Sequence, residues 1–347
     1  MSILKGKNIL ITGGTGSIGT NIIKELLAFH KPKQIRIFSR DDTKQFDLMQ
    51  QLPKDAPVNF LIGDIRDKNR LMMAMEDIDI VFHAAAMKHV SLCERNPFEA
   101  MNTNINGTQN VIECALSAGV DRVVYVSTDK AANPTNIMGT TKLMAERLML
   151  TSYFYKGKKK TKFCCVRFGN VLWSRGSVLP LFLKQIYEGG PVTLTDPLMT
   201  RFFMSLRQAA SLVIKAAEIT KENEIFVLKM PAVRMGDVVD VIQEIMVEEK
   251  LIKKTVPIVI IGPKEGERTH EKLLTQEESE NALETEKLFI IKPNSNIIPF
   301  KKSNILHYDG AKKAKVGEYN TTTTTLLNKK ELKKLIKEGE FYKNFKK

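Results

Sequence analysis

The chain predicts an α/β fold, a doubly wound parallel sheet extended by a smaller C-terminal region. Three observations carry this reading. Short apolar runs recur at Asn8–Thr12, Gln34–Phe38, Val58–Gly63, Asp79–Ala84, Arg122–Ser127 and Lys162–Phe168. Amphipathic stretches of helical length lie between them, at Ser17–His30, Asp41–Leu52, Lys68–Glu76, Pro97–Gly119 and Ile137–Tyr155. A glycine-rich turn, Thr12-Gly13-Gly14-Thr15-Gly16-Ser17-Ile18-Gly19, follows the first run directly. Strand–helix alternation of this kind means a parallel sheet covered on both faces. Right-handed crossovers then give the strand order 3-2-1-4-5-6.

After Phe168 the alternation weakens. Gly169–Arg201 carries Gly, Pro, Ser and Thr in a pattern suited to loops over a ligand. Arg207–Lys221 and Met235–Lys250 read as helices, Val256–Gly262 as a strand, and Glu224–Lys229 as a strand that rejoins the sheet. Glu265–Glu280 is polar and charged. The basic tail holds a run of five threonines, Thr321–Thr325, to which no structure is assigned, and a terminal helix at Glu331–Gly339.

At 347 residues the chain can bury one large core or two modest ones. No apolar run approaches the ~20 residues of a membrane span. Met1–Lys7 is too short and polar for a signal peptide, so a cytoplasmic location is expected. Cys93, Cys114, Cys164 and Cys165 form no C-x-x-C pair and no zinc-ligand spacing. They read as reduced core thiols, and no metal is expected. The formal charge of +14 comes from 53 Lys and Arg against 39 Asp and Glu. The lysines are dispersed, clustering only at Lys156–Lys162 and in the tail. Aromatics do not interleave with them as stacking platforms would, so no nucleic-acid partner is expected. A positive surface suits an anionic small substrate.

Glycines 13, 16 and 19 allow a tight turn and a close backbone approach to a pyrophosphate, and the helix that follows aims free N–H groups at the anion. The turn residues Gly13, Thr15, Gly16, Ser17, Ile18 and Gly19 are therefore candidate dinucleotide ligands. The second strand ends Phe38-Ser39-Arg40-Asp41. Ser39 and Arg40 favour the 2′-phosphate of NADP, while Asp41 and Asp42 leave NAD open. Asp64 and Ile65 after the third strand are placed for the adenine. Ala84, Ala85 and Ala86 close the fourth with side chains small enough for a cofactor to press against backbone.

Ser127-Thr128-Asp129-Lys130 sits at a strand's carboxyl end, where open α/β sheets bind ligands, with Met138 and Lys142 close behind. With the glycine turn, Asp64, His83–Ala86, Asn104 and Lys142, these residues resemble the extended short-chain dehydrogenase/reductases. Within them the chain is most similar to the UDP-N-acetylglucosamine 4,6-dehydratases of surface-polysaccharide pathways. The segments that carry this are Ser39–Asp41, Ala86–Val90, Ser127–Ala131, Arg167–Val171, Ser174–Val178, Met199–Phe202 and Gly266–Arg268. One departure from the wider superfamily is that its catalytic tyrosine would fall at Met138, which has no proton to exchange.

The resemblance implies an NAD(P)-binding Rossmann domain over residues 1–168, a mainly substrate-binding region over 169–300 and a basic extension over 301–347. It implies a homo-oligomer that acts on UDP-N-acetylglucosamine. Asp129 is the implied acid at the 6-hydroxyl and Lys130 the base at C5. Thr128 bonds the C4 oxygen, and Lys142 and Asn104 serve the cofactor. Lys88, Asn170, Val178, Arg201 and Glu267 hold the UDP-sugar, and Lys88 also faces the cofactor. A useful base titrates near ~7–8 and a free lysine near ~10.4, so Lys130 is expected to be lowered by burial or by Lys142. Asp129 is expected to be raised. Lys130, acting early through Thr128 or water, is the expected acceptor of the C4 hydroxyl proton. The stretch Asn133–Met138 leans toward retention at C5. Two alternatives stay open: a UDP-sugar 4-epimerase, which needs no acid–base pair at C5 and C6, and a non-catalytic NADP-binding regulator, kept open by Met138.

Overall fold

The computed structural model describes residues 2–263, 266–293 and 308–339. Strands β1 (Asn8–Thr12), β2 (Gln34–Ser39), β3 (Val58–Ile62), β4 (Ile80–His83), β5 (Arg122–Val126) and β6 (Lys162–Arg167) pair in parallel. Their order is β3-β2-β1-β4-β5-β6, as the alternation predicts. All of β4, and Val123–Val126 of β5, are buried, which is why these strands read as unbroken apolar runs. The order reverses between β1 and β4, and a crevice opens there at the strands' carboxyl ends.

The later strands are β7 (Asn170–Val171), β8 (Val192–Leu194), β9 (Thr200–Met204), β10 (Glu224–Leu228), β11 (Ala232–Arg234), β12 (Ile258–Ile260), β13 (Lys272–Leu274), β14 (Ala282–Glu284), β15 (Leu288–Ile291), β16 (Lys312–Lys313) and β17 (Tyr319–Asn320). β10 rejoins the sheet parallel to β6, and β15, β14 and β16 extend it antiparallel. Beside it, β11-β9-β7 forms a small sheet under the crevice, and β8 pairs with β12. Helices Val178–Tyr187, Met235–Glu248 and Lys329–Lys337 enclose a second core that contains Phe182, Ile186, Val238, Ile242, Leu332 and Ile336. Among the described residues no helix is long and apolar enough to cross a membrane.

Three local readings are corrected. Gly169–Arg201 is not all loop. Leu179, Phe182, Leu183 and Ile186 are buried at helical spacing, and Pro180 falls in the helix's first turn, where a missing N–H costs nothing. Pro97–Gly119 is not one regular helix, because a π turn at Asn102–Asn106 interrupts it. The threonine run is ordered at its start. Asn320 in β17 pairs with Lys272, and its carboxamide oxygen accepts from Thr322 N and Thr323 N. The tail's basic character is also explained in part. Lys329, Lys333 and Lys337, one helical turn apart, pair with Asp240, Glu244 and Glu248 of helix Met235–Glu248. Trp173 Nε1 donates to Ile336 O at 3.1 Å and fixes the terminal helix to the second core.

Arg167, at the end of β6, is fully buried. It bonds both oxygens of Glu146 at 3.1 and 2.6 Å, both of Glu278 at 2.8 and 2.9 Å, and Leu273 O at 3.0 Å. Removing one partner from such a network strands buried charge. Arg167→Met is expected to lose about 3–5 kcal/mol of unfolding free energy, measured by urea denaturation. A loss under about 1 kcal/mol would mean that the carboxylates reach water.

Candidate active site

The crevice is a cleft of about 890 Å³, a volume suited to a large ligand. One wall is the turn after β1. Gly13 has φ +68°, and a Cβ there would lie 2.7 Å from the Ala85 backbone. A Cβ on Gly19 would lie 2.6 Å from Gly13 O. Only glycine fits at either position. Helix Ser17–Phe29 starts at Gly16 without a side-chain cap, so its first N–H groups are left for an anion. Gly13, Thr15, Gly16, Ser17, Ile18, Gly19, Ala84, Ala85 and Ala86 all border the cleft. The shape fits a dinucleotide diphosphate.

Ser39, Arg40, Asp41, Lys44, Asp64 and Ile65 close the far end. Asp41 caps helix Asp42–Gln51, accepting from Lys44 N at 2.9 Å and pairing with the Lys44 amine. That carboxylate is occupied, while Arg40 keeps 59% of its side chain exposed, 3.7 Å from Asp64. Burial pushes Asp64 up, but Arg66 bonds outweigh it and hold the carboxyl below the usual range.

At the tip of β5 the chain makes a tight turn, Asp129–Ala131. Thr128 and Lys130 border the cleft. Asp129 lies behind them, fully buried, and accepts at Oδ1 from Thr128 Oγ1 at 2.9 Å and from Lys130 Nζ at 3.0 Å. Its Oδ2 has no hydrogen-bond partner among the described residues. Lys130 Nζ also lies 3.2 Å from Glu271 Oε1. The expectation for Lys130 is therefore corrected. Burial pulls its pKa down, but the charges of Asp129 and Glu271 outweigh burial and hold it above the usual value. Lys142 is lowered instead. Buried on helix Ile137–Thr151, its amine donates to Val126 O at 2.9 Å and lies 4.6 Å from the Tyr125 ring centre. Burial lowers it to about 8. Met138, one turn earlier, is on the same wall.

Lys88, Asn170 and Val178 also border the cleft. Lys88 donates to Arg175 O at 2.7 Å, and burial followed by the Arg175 charge lowers its pKa. Three expected ligands lie off the wall. Asn104 is buried on the π turn, where its carboxamide holds Met87 N and Met87 O at 2.8 and 3.0 Å and so sets the loop that carries Lys88. Arg201 is buried in β9, bonded to Thr200 O and 3.6 Å from Glu271. Its charge goes to Glu271 rather than to the open cleft. Glu267 is exposed on the loop before β13 and does not border the cleft.

Two residues that the sequence reading did not single out belong here. Arg175 donates to Thr15 O at 2.5 Å, and its N–H to Ser17 Oγ at 2.9 Å, clasping the 174–178 segment over the glycine turn. It lies within the quoted segment Ser174–Val178, and that was its signal. Glu271 stands 141 positions after Lys130, with no motif that joins them.

A family model described as polysaccharide biosynthesis protein matches residues 9–293. The chain is 49% identical over 335 residues to an uncharacterized membrane protein of Methanocaldococcus jannaschii, covering 96% of each. It is 39% identical over 340 residues to an inverting UDP-N-acetylglucosamine 4,6-dehydratase of Campylobacter jejuni, covering 96% of this chain and 98% of that protein. It is also 39% identical over 334 residues to a UDP-glucose 4-epimerase of Rickettsia bellii, covering 95% of each. Among solved structures, Pen from Bacillus thuringiensis superposes with a TM-score of 0.89 at 46% identity, over 97% of this chain and 99% of that one.

Because burial lowers Lys142 to about 8, the unfolded chain binds more protons than the folded one between about 8 and ~10.4. The contribution of Lys142 to stability therefore rises with pH across that window. Urea denaturation is expected to show the rise in the native protein and its loss in Lys142→Met. Parallel curves for the two proteins would refute the assignment.

Proposed function

The chain belongs to the polysaccharide biosynthesis protein family, and from that premise we propose that it is an NADP-dependent UDP-N-acetylglucosamine 4,6-dehydratase. Its product would be a UDP-4-keto-6-deoxy-N-acetylhexosamine for surface glycan assembly. The observation that carries the reading is the 3.0 Å contact between Lys130 Nζ and Asp129 Oδ1 at the cleft. One proton moved along it turns an ammonium and a carboxylate into an amine and a carboxylic acid. Those are the base that C5–H requires and the acid that the departing 6-hydroxyl requires. A lysine that is cationic in the resting site is thus no obstacle, because its proton has an acceptor in contact.

Gly13–Gly19, Ser39, Arg40, Asp64 and Ala84–Ala86 would hold the cofactor. When bound, the nicotinamide supplies the hydride acceptor for C4 and the hydride donor for C6. Thr128 has its hydroxyl on Asp129 and its side on the cleft wall. It relays the acid's proton outwards. Met138 cannot take the C4 hydroxyl proton. Lys142, one turn on and lowered to about 8, is the better acceptor and replaces Lys130 in that role. Lys88, Asn170 and Val178 orient the UDP-sugar. Arg40, with Asp41 occupied by Lys44, favours the 2′-phosphate of NADP.

The Rickettsia relative's name supports a second reading, UDP-sugar 4-epimerase, which would leave Asp129 and Lys130 without a task. The Campylobacter relative is named as inverting, opposite to the lean read from Asn133–Met138.

Incubation with UDP-N-acetylglucosamine and NADP is expected to give a product lighter by one water, and proton NMR reads its C5 configuration. An isomer of unchanged mass would establish the epimerase instead, and no product with salt-sensitive nucleic-acid affinity would favour the regulator. Asp129→Asn and Lys130→Met are each expected to lower kcat by about 10²–10⁴-fold, with substrate affinity within a few-fold by calorimetry. Arg40→Ala is expected to weaken NADP by about 10-fold or more, from the loss of a charge-assisted bond, while NAD changes little. Equal weakening of both would remove the case for NADP.

A further inference from the structure

Glu271 connects two openings. Its side chain is 3% exposed. On one side Oε1 lies 3.2 Å from Lys130 Nζ, and Lys130 borders the cleft. Glu271 also borders a separate polar recess of about 350 Å³, whose wall includes Arg268, His270, Asn320 and Thr322. His270 and Thr322 are exposed, so the recess reaches solvent. Two polar atoms of its wall residues are buried without a hydrogen-bond partner among the described residues: Glu271 Oε2 and Arg268 Nη2. Oppositely charged orphans beside a recess of this size mark a place for water, since a water occupies about 30 Å³ and takes 2–4 polar partners.

Glu271 balances the charge of Arg201, but that role does not require its closer contact with Lys130. Asp129 already neutralises Lys130 at 3.0 Å, so Lys130 does not need Glu271 as its counterion. Arg201 Nε approaches no closer than 3.6 Å, too far for a hydrogen bond. The position itself is firmly built. Glu271 N donates to Thr321 Oγ1 at 3.1 Å, and Thr321 N donates to Glu271 O at 2.9 Å. Burial outweighs the charges of Lys130 and Arg201 and, with Asp129 adjacent, holds the carboxyl above its usual range. Lys272 and Glu318 complete the charged groups of the recess.

We propose that Glu271 is a proton port, which passes the proton of Lys130 to and from water in this recess while the cleft stays occupied. The proposal rests on the reading of Lys130 as the base at C5. In the outward direction one N–H bond of Lys130 breaks and an O–H bond forms at Glu271 Oε1. The carboxyl then turns about Cγ–Cδ, which carries that O–H towards the recess and Oε2 towards Lys130, and the O–H bond breaks as a water takes the proton. The inward direction is the reverse, and no electrons change hands. The port gives C5 a solvent proton even when substrate seals the front of the site. Glu271 acts through Lys130 and touches no reacting atom.

The test follows deuterium at C5 when the full-length protein, NADP and UDP-N-acetylglucosamine react in deuterated water, read at early conversion. The native protein is expected to incorporate deuterium at C5. Glu271→Gln keeps the shape and the acceptor for Lys130 but cannot take up or release a proton. It is expected to keep KM within about 2-fold, lose about 10²-fold in kcat and return more protium to C5 than the native protein does, short of full retention because the Lys130 amine enters each turnover with exchanged deuterons. Formate is expected to restore Glu271→Ala in a saturable manner and to leave Lys130→Met unaffected. Thr322→Phe fills the recess without touching the Lys130–Glu271 contact, and is expected to lower deuterium incorporation several-fold. It also serves if Glu271 variants do not fold. Full deuteration at undiminished kcat in Glu271→Gln, or unchanged deuteration in Thr322→Phe, overturns the port alone. A native protein that forms no keto product overturns the dehydratase reading and the port with it.

Discussion

The guanidinium of Arg167 lies in the interior at the end of β6, closed between Glu146 and Glu278 and a backbone carbonyl. Arg167 and those partners join three parts of the chain. Glu146 is on the helix that carries Met138 and Lys142, Arg167 ends the strand beside the Thr128–Lys130 turn, and Leu273 and Glu278 follow Glu271. A buried network of this kind adds little stability over a well-packed apolar set. Its effect here is on position. The segment that presents Glu271 to Lys130 sits where a cation with fixed, forked geometry puts it.

The same logic runs through the cleft, where most charges are spoken for before any ligand arrives. Asp41 serves a helix start, Asp64 an arginine, and Arg201 a buried glutamate. Facing the opening are backbone N–H groups at the glycine turn, the Arg40 side chain, the Thr128 hydroxyl with Lys130, and the amines of Lys88 and Lys142. Substrate and cofactor therefore meet a surface whose reactive groups are few and whose neighbours hold them in place. The clasp from Arg175 to Thr15 and from Lys88 to Arg175 O joins the two halves of that surface across the cleft.

The sheet was legible because its central strands are buried on both faces, so each shows as an apolar run without the interruption of a solvent face. The glycine cradle was legible because its geometry excludes any Cβ at Gly13 and Gly19. The Thr128–Lys130 turn was legible as a local string. Asn104 was found, but its contacts were not, because a π turn aims its amide at Met87 and i→i+5 bonding leaves no periodic mark. Helix Val178–Tyr187 was hidden by its Gly and Pro neighbours despite a clean apolar stripe. Glu271 was out of reach. It depends on β13 pairing with β17 from the tail, a contact between segments more than forty residues apart, and lone acids in polar stretches usually face water.

Trp173 is the chain's single tryptophan, buried in the second core with its indole N–H on Ile336 O. Two residues further on, Arg175 grips the glycine turn. One fluorophore thus stands between the seat of the terminal helix and the clasp over the cleft. Its emission is an intrinsic gauge of both, with no extrinsic dye and no engineered residue. A red shift on loosening the helix would register water reaching the ring, and a change in intensity on adding nucleotide would register the clasp.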